Sequence, residues 1–392
     1  MATATVPAPS PAEKANDVPL MEFAVDRNQL LTEVAVAARV TDGKSTQPLL
    51  SHLLLRASGA GLLSITGSDL KRTVTTDCPA AIKTLGEATV PAQKLLTFLK
   101  LLPSGNVNIK LLSNHQLQIT AGRSRTRMPG LAPHSYPASP SVALAPLRLS
   151  SRGLKTLIRQ SLFAVANSED RYLFNAALLL LHQDRMGMVA TDGRRLSLVE
   201  VQEDSLAIDG FKKVLLPRES LSDLLSLFNA SKEESVDFSE DDANFFFQIG
   251  PRVLSVRKLI GQFPNYEAIL PRDATNSVVL GTADLLASLQ RVLQFSDERS
   301  SGVKLHLDKN TLTVSASAAD RGESQEALPL SYTAPAVTIG FNGQFIVEFL
   351  KTIGAEGEIR LALKDGASAA VMTPEAFNPE YQQKYVVMPM RI

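Results

Sequence analysis

The chain has 392 residues, more than one hydrophobic core usually serves, so two or three domains are expected. Hydrophobic residues make up 44% and charged residues 20%, ordinary for a soluble globular protein, and no run approaches the roughly 20 apolar residues of a membrane span, so a membrane helix is excluded. The 40 basic and 40 acidic side chains balance, so any attraction to nucleic acid must come from uneven placement of charge, and the single Cys78 excludes a disulfide framework or a four-cysteine metal site and fits the reducing cytoplasm.

Residues 1–20 are rich in Ala, Pro, Ser and Thr, and no basic start leads into an apolar core. They read as a disordered extension rather than a signal peptide, with the fold starting at Met21. Beyond them one pattern recurs three times. A strand or turn runs into an amphipathic helix at Val90-Pro91-Ala92, at Leu216-Pro217-Arg218 and at Phe341-Asn342-Gly343, with starts 126 and 125 positions apart. An earlier helix precedes each, over Arg27 to Arg39, Arg152 to Phe163 and Asp284 to Phe295. Their apolar residues recur at three and four, as in Leu154, Leu157, Ile158 and Leu162. Between helices lie short β-rich runs: Leu62 to Thr66, Val107 to Leu111, Leu117 to Thr120, Val253 to Lys258, Lys304 to Leu307 and Thr311 to Ser315.

Each copy is therefore expected to be an α+β domain with two helices and about eight strands. The joints are Pro-rich, at Pro133 to Pro146 and at Leu270-Pro271-Arg272-Asp273, which sets domains at 21–145, 146–273 and 274–392. Two helices at similar offsets suggest a further twofold repeat within each domain, hence six like units per chain. Such an arc closes into a ring if copies associate head to tail; a linear three-domain scaffold that never touches DNA fits the repeat equally well.

Charge is not spread evenly over these elements. The six helix windows hold ten basic residues (Arg27, Arg39, Lys94, Lys100, Arg152, Lys155, Arg159, Arg218, Arg291, Lys351) and five acids (Glu33, Glu219, Asp223, Asp284, Glu348), so they carry +5 and the remainder −5. A positive helical face suits a DNA backbone without reading bases; a set of solvated helix faces is the plainer alternative.

Signs of chemistry are weak. Asp42-Gly43-Lys44-Ser45-Thr46 ends like a phosphate-binding P-loop, but the motif's first glycine falls on Ala38 and a helix precedes it where a strand is needed. A nucleotide hydrolase is thus a remote alternative, testable by Lys44→Ala. The histidines are scattered without ligand spacing, and neither a metal nor another cofactor is expected.

Four stretches resemble the bacterial DNA polymerase III beta subunits, the beta sliding clamps. They are Tyr385-Val386-Val387-Met388-Pro389-Met390-Arg391-Ile392, Ala190-Thr191-Asp192-Gly193-Arg194-Arg195-Leu196, Gln262-Phe263-Pro264-Asn265-Tyr266 with Ile269-Leu270-Pro271, and Gly122-Arg123-Ser124-Arg125. The opening Met21-Glu22-Phe23-Ala24-Val25-Asp26-Arg27 matches as well, so the resemblance spans 21–392.

It implies three repeated DNA-clamp domains, a head-to-tail homodimer closed into a ring around duplex DNA, and no catalysis. It further implies a cleft for short motifs of the polymerase III alpha subunit, the clamp-loader delta subunit, and other polymerases and repair proteins. The positions that correspond to the cleft are Phe174, Thr191, Gly193, Arg194, Arg195, Leu196, Pro264, Ala268, Ile269, Asn342, Phe345 and the run Val386, Val387, Met388, Pro389, Met390, Arg391, Ile392. Arg194 stands where many members carry His, and Ala268 where a basic residue is common. DNA contacts carried over in the same way are Lys44, Gln93, Ser168, Arg171, Tyr172 and Leu173; Leu173 replaces an aromatic and Ser168 a longer polar side chain. For the ring joint, the alternation of Arg123, Arg125 and Arg127 along an edge strand is expected to face the acidic run Asp320, Glu323, Glu326 of the third copy.

Overall fold

The computed structural model describes residues 19–140, 146–167, 173–203, 206–208, 210–271, 276–376 and 378–392. Most of the extension expected over 1–20, and the boundary positions 145 and 273, lie outside them. The chain forms two compact units, Met1–Ser141 with Pro251–Ser255, and Val142–Gly250 with Val256–Ile392.

The first unit contains β1 (Met21–Asp26), α1 (Arg27–Ala37), β2 (His52–Ala57), β3 (Leu62–Ser68), β4 (Arg72–Pro79), β5 (Ala81–Thr84), β6 (Gly86–Pro91), α2 (Ala92–Leu101), β7 (Asn106–Leu111), β8 (Gln116–Ala121) and β9 (Ser124–Pro129). Strand β1 leads into α1 but pairs with β5 and β7 in the order β5-β1-β7-β8-β9, whereas β6, which leads into α2, pairs with β2 beside β3 and β4. The two β-α-β-β-β halves thus exchange their leading strands, which makes each sheet depend on both halves.

The second unit repeats this twice. It holds β10 (Leu147–Ser150), α3 (Ser151–Ser161), β11 (Ala176–Leu181), β12 (Arg185–Thr191), β13 (Arg195–Gln202), β14 (Lys212–Pro217), α4 (Arg218–Asn229), β15 (Ser235–Glu240) and β16 (Asn244–Ile249). After β17 (Arg252–Arg257), which the division cuts, come β18 (Asn276–Gly281), α5 (Thr282–Val292), β19 (Gly302–Asp308), β20 (Thr311–Ala318), β21 (Gly322–Pro329), β22 (Val337–Asn342), α6 (Gly343–Ile353), β23 (Glu358–Leu363), β24 (Ala370–Pro374) and β25 (Gln382–Val387). The expected mix of two helices and about eight strands per copy is what the described residues show, and all six helices begin within two residues of the expected places.

Local chemistry explains the helix starts. The Asp26 carboxylate accepts from Asn28 N and Gln29 N, Ser150 Oγ from Gly153 N, and Asn342 Oδ1 from Phe345 N, each satisfying a donor that the first turn leaves unpaired. Before α2 and α4 a proline stands at the cap, with φ of −58° and −56°. The helices then bury one stripe, as Leu154, Leu157 and Ile158 do in α3 and Leu285, Leu289 and Val292 in α5.

Compactness and repeat are different divisions here. Strands β13 and β25 pair antiparallel from Arg195↔Val387 to Glu200↔Gln382, so one eight-stranded sheet, β14-β11-β12-β13-β25-β24-β23-β18, runs through the second and third copies. Among the described residues, β9 is an end strand of the sheet β5-β1-β7-β8-β9 and β21 of the sheet β21-β20-β19-β22.

Candidate peptide-binding cleft, helix charge and edge strands

The cleft is built around the end of β25. Tyr385, Val386 and Val387 are buried, with the Tyr385 ring stacked on Phe349 (centroids 4.6 Å apart, 8° between planes) and its hydroxyl donating to Phe345 O at 3.0 Å. Past the strand the backbone stays tied on both sides: Met388 N donates to Arg194 O at 2.9 Å and Met390 N to Gly340 O at 2.8 Å. A hollow of 430 Å³ opens here, lined by Arg194, Arg299, Ser300, Asn342, Phe345, Met388, Pro389 and Met390. Its walls are mainly apolar, two of them are thioether side chains that adapt to varied shapes, and two guanidinium groups stand at its edge.

The turn from Thr191 to Arg195 holds one wall. Asp192 Oδ1 accepts from Arg194 N (2.9 Å) and Arg195 N (3.1 Å), Thr191 Oγ1 donates to Arg195 O (2.6 Å), and Gly193 takes φ +84°, a left-handed value that glycine adopts freely. Arg195 itself is only 7% exposed. Its guanidinium donates to Asp192 Oδ2 (3.0 Å), Glu348 Oε2 (2.6 Å) and Phe163 O (2.6 Å), and lies over the Phe345 ring at 4.2 Å. Burial disfavours its charge, yet Tyr385, Glu348 and Asp192 outweigh burial and hold its pKa above the ordinary guanidinium value. Arg195 is therefore a brace at the cleft wall, tying together the turn, the helical turn Leu162–Ala164 that follows α3, and α6.

The expected cleft residues fall into four groups. Arg194, Asn342, Phe345, Met388, Pro389 and Met390 line the hollow. Leu196 and Val386 are buried in a cluster with Leu178, Leu180 and Val189, Val387 is buried in the other core cluster with Tyr385, against which Phe345 packs, and Thr191, Gly193 and Arg195 shape the wall. Pro264, Ala268 and Ile269 lie on the flank, where Phe263, Tyr266 and Leu270 pack on the buried cluster; Phe174 is half-buried, its carbonyl accepting from Ala166 N at 2.9 Å. Arg391 and Ile392 are exposed and do not line the hollow.

Arg299 and Ser300 are lining residues that sequence reasoning missed. They sit in the irregular segment after α5, where Asp297 Oδ1 accepts from both their backbone N–H groups (3.1 and 2.9 Å) and Asn342 Nδ2 donates to Ser300 O (2.9 Å). An Asp followed two and three residues later by turn-forming partners was the only local signal available.

On the helices, two of the five acids leave the surface. Glu33 is buried, accepting from Arg252 (2.6 and 2.8 Å) and from Thr76 Oγ1 (2.6 Å), and Asp223 is buried as well; Glu348 is held by Arg195. Arg39, Lys94, Lys100, Arg152, Arg159, Arg291 and Lys351 are exposed, against Glu219 and Asp284. The exposed helix charges thus keep the positive bias seen in the sequence. Among the described residues, Arg152 pairs with Glu380 and Arg291 with Glu326.

Of the expected DNA contacts, Lys44 is exposed on a loop that follows the turn at Ala38–Val40, and Gln93 Nε2 donates to Ala38 O at that turn (3.2 Å). The segment that ends like a P-loop thus follows helical turns, with Lys44 N donating to Asp42 Oδ1 (2.9 Å), and has no leading strand. Leu173 is half-buried beside Gly261, where an added Cβ would lie 2.8 Å from Leu173 Cδ2. Ser168, Arg171 and Tyr172 lie outside the described residues.

For the ring joint, Arg125 and Arg127 are exposed on the outer face of β9, but Arg123 belongs to the β8–β9 turn rather than to the strand. Asp320 is in the β20–β21 turn and Glu323 is exposed on β21. Glu326, three positions on, points to the opposite face because strand side chains alternate, and it is taken up by Arg291 of α5.

The family models for the DNA polymerase III beta subunit match in chain order: the N-terminal domain over residues 21–140, the central domain over 148–265 and the C-terminal domain over 267–391. A beta sliding clamp of Pseudomonas aeruginosa is 30% identical over 381 residues, covering 95% of this chain and all of that one. A beta sliding clamp of Synechococcus elongatus is 28% identical over 378 residues with the same coverage. In three dimensions the chain is similar to the Pseudomonas aeruginosa sliding clamp crystallised with griselimycin, with a TM-score of 0.86 at 30% identity over 95% of this chain and all of that one.

Proposed function

The chain belongs to the DNA polymerase III beta-subunit family, and on that premise we propose that it is a DNA sliding clamp whose hollow behind Met388 to Met390 captures short peptide motifs of its partners. A clamp of this family is a processivity factor: it holds a polymerase on DNA and is a non-catalytic subunit. The observation that supports the peptide site is the doubly tied tail, which presents Met388, Pro389 and Met390 across from Phe345 and Asn342 over an open, largely apolar space. Extended ligands with two or three apolar side chains, of the Gln-Leu-x-Leu-Phe type, fit such a space, and Arg194 and Arg299 at its edge favour an acidic neighbour.

The finer assignments are proposals of the same kind. The partners are duplex DNA without sequence preference, a second copy of the chain, the polymerase III alpha subunit, the clamp-loader delta subunit, and other polymerases and repair proteins, all in the cytoplasm. The domains are 21–145, 146–273 and 274–392. The dimer joins β9 of one copy to β21 of the other, in the way that β13 joins β25 within the chain. The exposed helix cations, with Lys44, Gln93 and the segment 168–173, face the DNA backbone.

The deciding experiment is binding of a labelled Gln-Leu-x-Leu-Phe peptide to the full protein and to one lacking residues 388–392, with folding checked in both. The expected result is a loss of about 100-fold on removing the tail, the scale of a central interface cluster. No binding to the intact protein would refute the cleft.

A further inference from the structure

Two glycines interrupt the β19–β22 pair of the sheet β21-β20-β19-β22. Gly302 opens β19 and Gly340 lies inside β22, positions where a strand ordinarily carries a side chain, and glycine there marks a place that another backbone approaches closely. The pairings Gly302↔Asn342 and Lys304↔Gly340 put both on one face as diagonal neighbours, leaving a strip of bare backbone. Neither has a positive φ, so space and not conformation is what they supply.

The chain's last residues cross that strip. Met390 N donates to Gly340 O at 2.8 Å. A Cβ on Gly340 would stand 2.5 Å from Met390 O and 2.8 Å from Ile392 Cδ1, and one on Gly302 would stand 3.3 Å from Ile392 Cδ1. Ile392 is 49% exposed, so about half of this branched apolar side chain is covered, although it does not line the hollow.

We propose that Gly302 and Gly340 form a latch for Ile392, and that Ile392 serves the cleft by positioning the Met388–Met390 wall rather than by touching the ligand. The inference rests on reading the hollow as the peptide cleft. Beyond β25 the wall is held by one backbone hydrogen bond at Met388 and one at Met390. Seating Ile392 on the glycine strip extends that anchorage past the wall, so the wall is ordered before the ligand arrives. A tail free to wander has to be ordered at each binding event, and that entropy is subtracted from affinity.

The test uses the full-length protein with Ile392→Ala, Ile392→Leu and Gly340→Ala, read out as hydrogen exchange at the Met388 and Met390 amides and as the Kd for a labelled Gln-Leu-x-Leu-Phe peptide. Dimer mass and melting temperature are checked for each variant. Ile392→Ala is expected to speed exchange at Met390 and weaken the peptide about fivefold, as expected for losing part of a half-covered side chain. Gly340→Ala is expected to weaken it about tenfold or more, because its Cβ collides with the tail backbone, while Ile392→Leu stays near wild type. Wild-type exchange and affinity in both Ile392→Ala and Gly340→Ala overturn the latch, and so does faster exchange with unchanged affinity. Failure of the wild-type protein to bind the peptide overturns the cleft reading itself and, with it, the role assigned to the latch.

Discussion

Arg194 and Arg195 are adjacent and chemically identical, yet one is exposed at the mouth of the hollow and the other is a buried brace with three oxygen partners. Replacing Arg195 with Met leaves Glu348, Asp192 and Phe163 O without their donor, and is expected to cost about 3 kcal/mol in urea unfolding, the scale of breaking a buried pair. Arg195→Lys is expected to recover little, since an ammonium cannot reach the same fork of partners. A loss under about 1 kcal/mol for Arg195→Met would remove the brace. Glu240 is a second case. Its burial raises the carboxyl pKa, but hydrogen bonds from Lys212 and Lys258 more than compensate, and the folded pKa lies below the ordinary 4.5. The unfolded chain then binds the proton more tightly than the folded one. This stabilisation is present above about pH 4.5 and fades as pH falls through the folded value. Glu240→Gln is expected to flatten the acid side of the stability profile, measured by unfolding at a series of pH values.

At the scale of elements, helices were the most legible part. Their positions follow from apolar residues at three and four and from Pro91, Pro217 and Asn342 at their starts. The exchange of leading strands was not legible. Strand β1 runs straight into α1 yet pairs with β7, some eighty residues on, and no local pattern encodes which distant edge a strand joins. The edges also refine the expected joint. Arg123→Glu with Arg125→Glu is expected to convert the dimer to monomer, and light scattering that still reports dimer mass would remove β9 from the joint. Glu323→Lys is expected to weaken the dimer, whereas Glu326→Lys acts mainly within the chain, through the loss of its partner Arg291.

At the scale of the whole molecule, a neutral chain that binds DNA has to hold it topologically or through a local field. A closed ring does the first. It is expected to stay on circular DNA in salt that screens its helix cations, and to leave once the circle is cut; prompt loss from intact circles in high salt would argue for a scaffold instead.

The threefold repeat, the helix positions, the concentration of basic residues on the helices and, through the Met388-Pro389-Met390 tail and the Thr191 to Leu196 stretch, the family were all legible in the amino-acid order alone. These are read from spacing and residue type, which are local. It took the folded chain to show that Glu33 and Asp223 are buried, that Glu326 of β21 pairs with Arg291 of α5, that Arg299 and Ser300 line the hollow, and that Ile392 rests on Gly302 and Gly340. Each of those depends on which distant backbone passes within a few ångströms, a choice made by the packing of whole sheets.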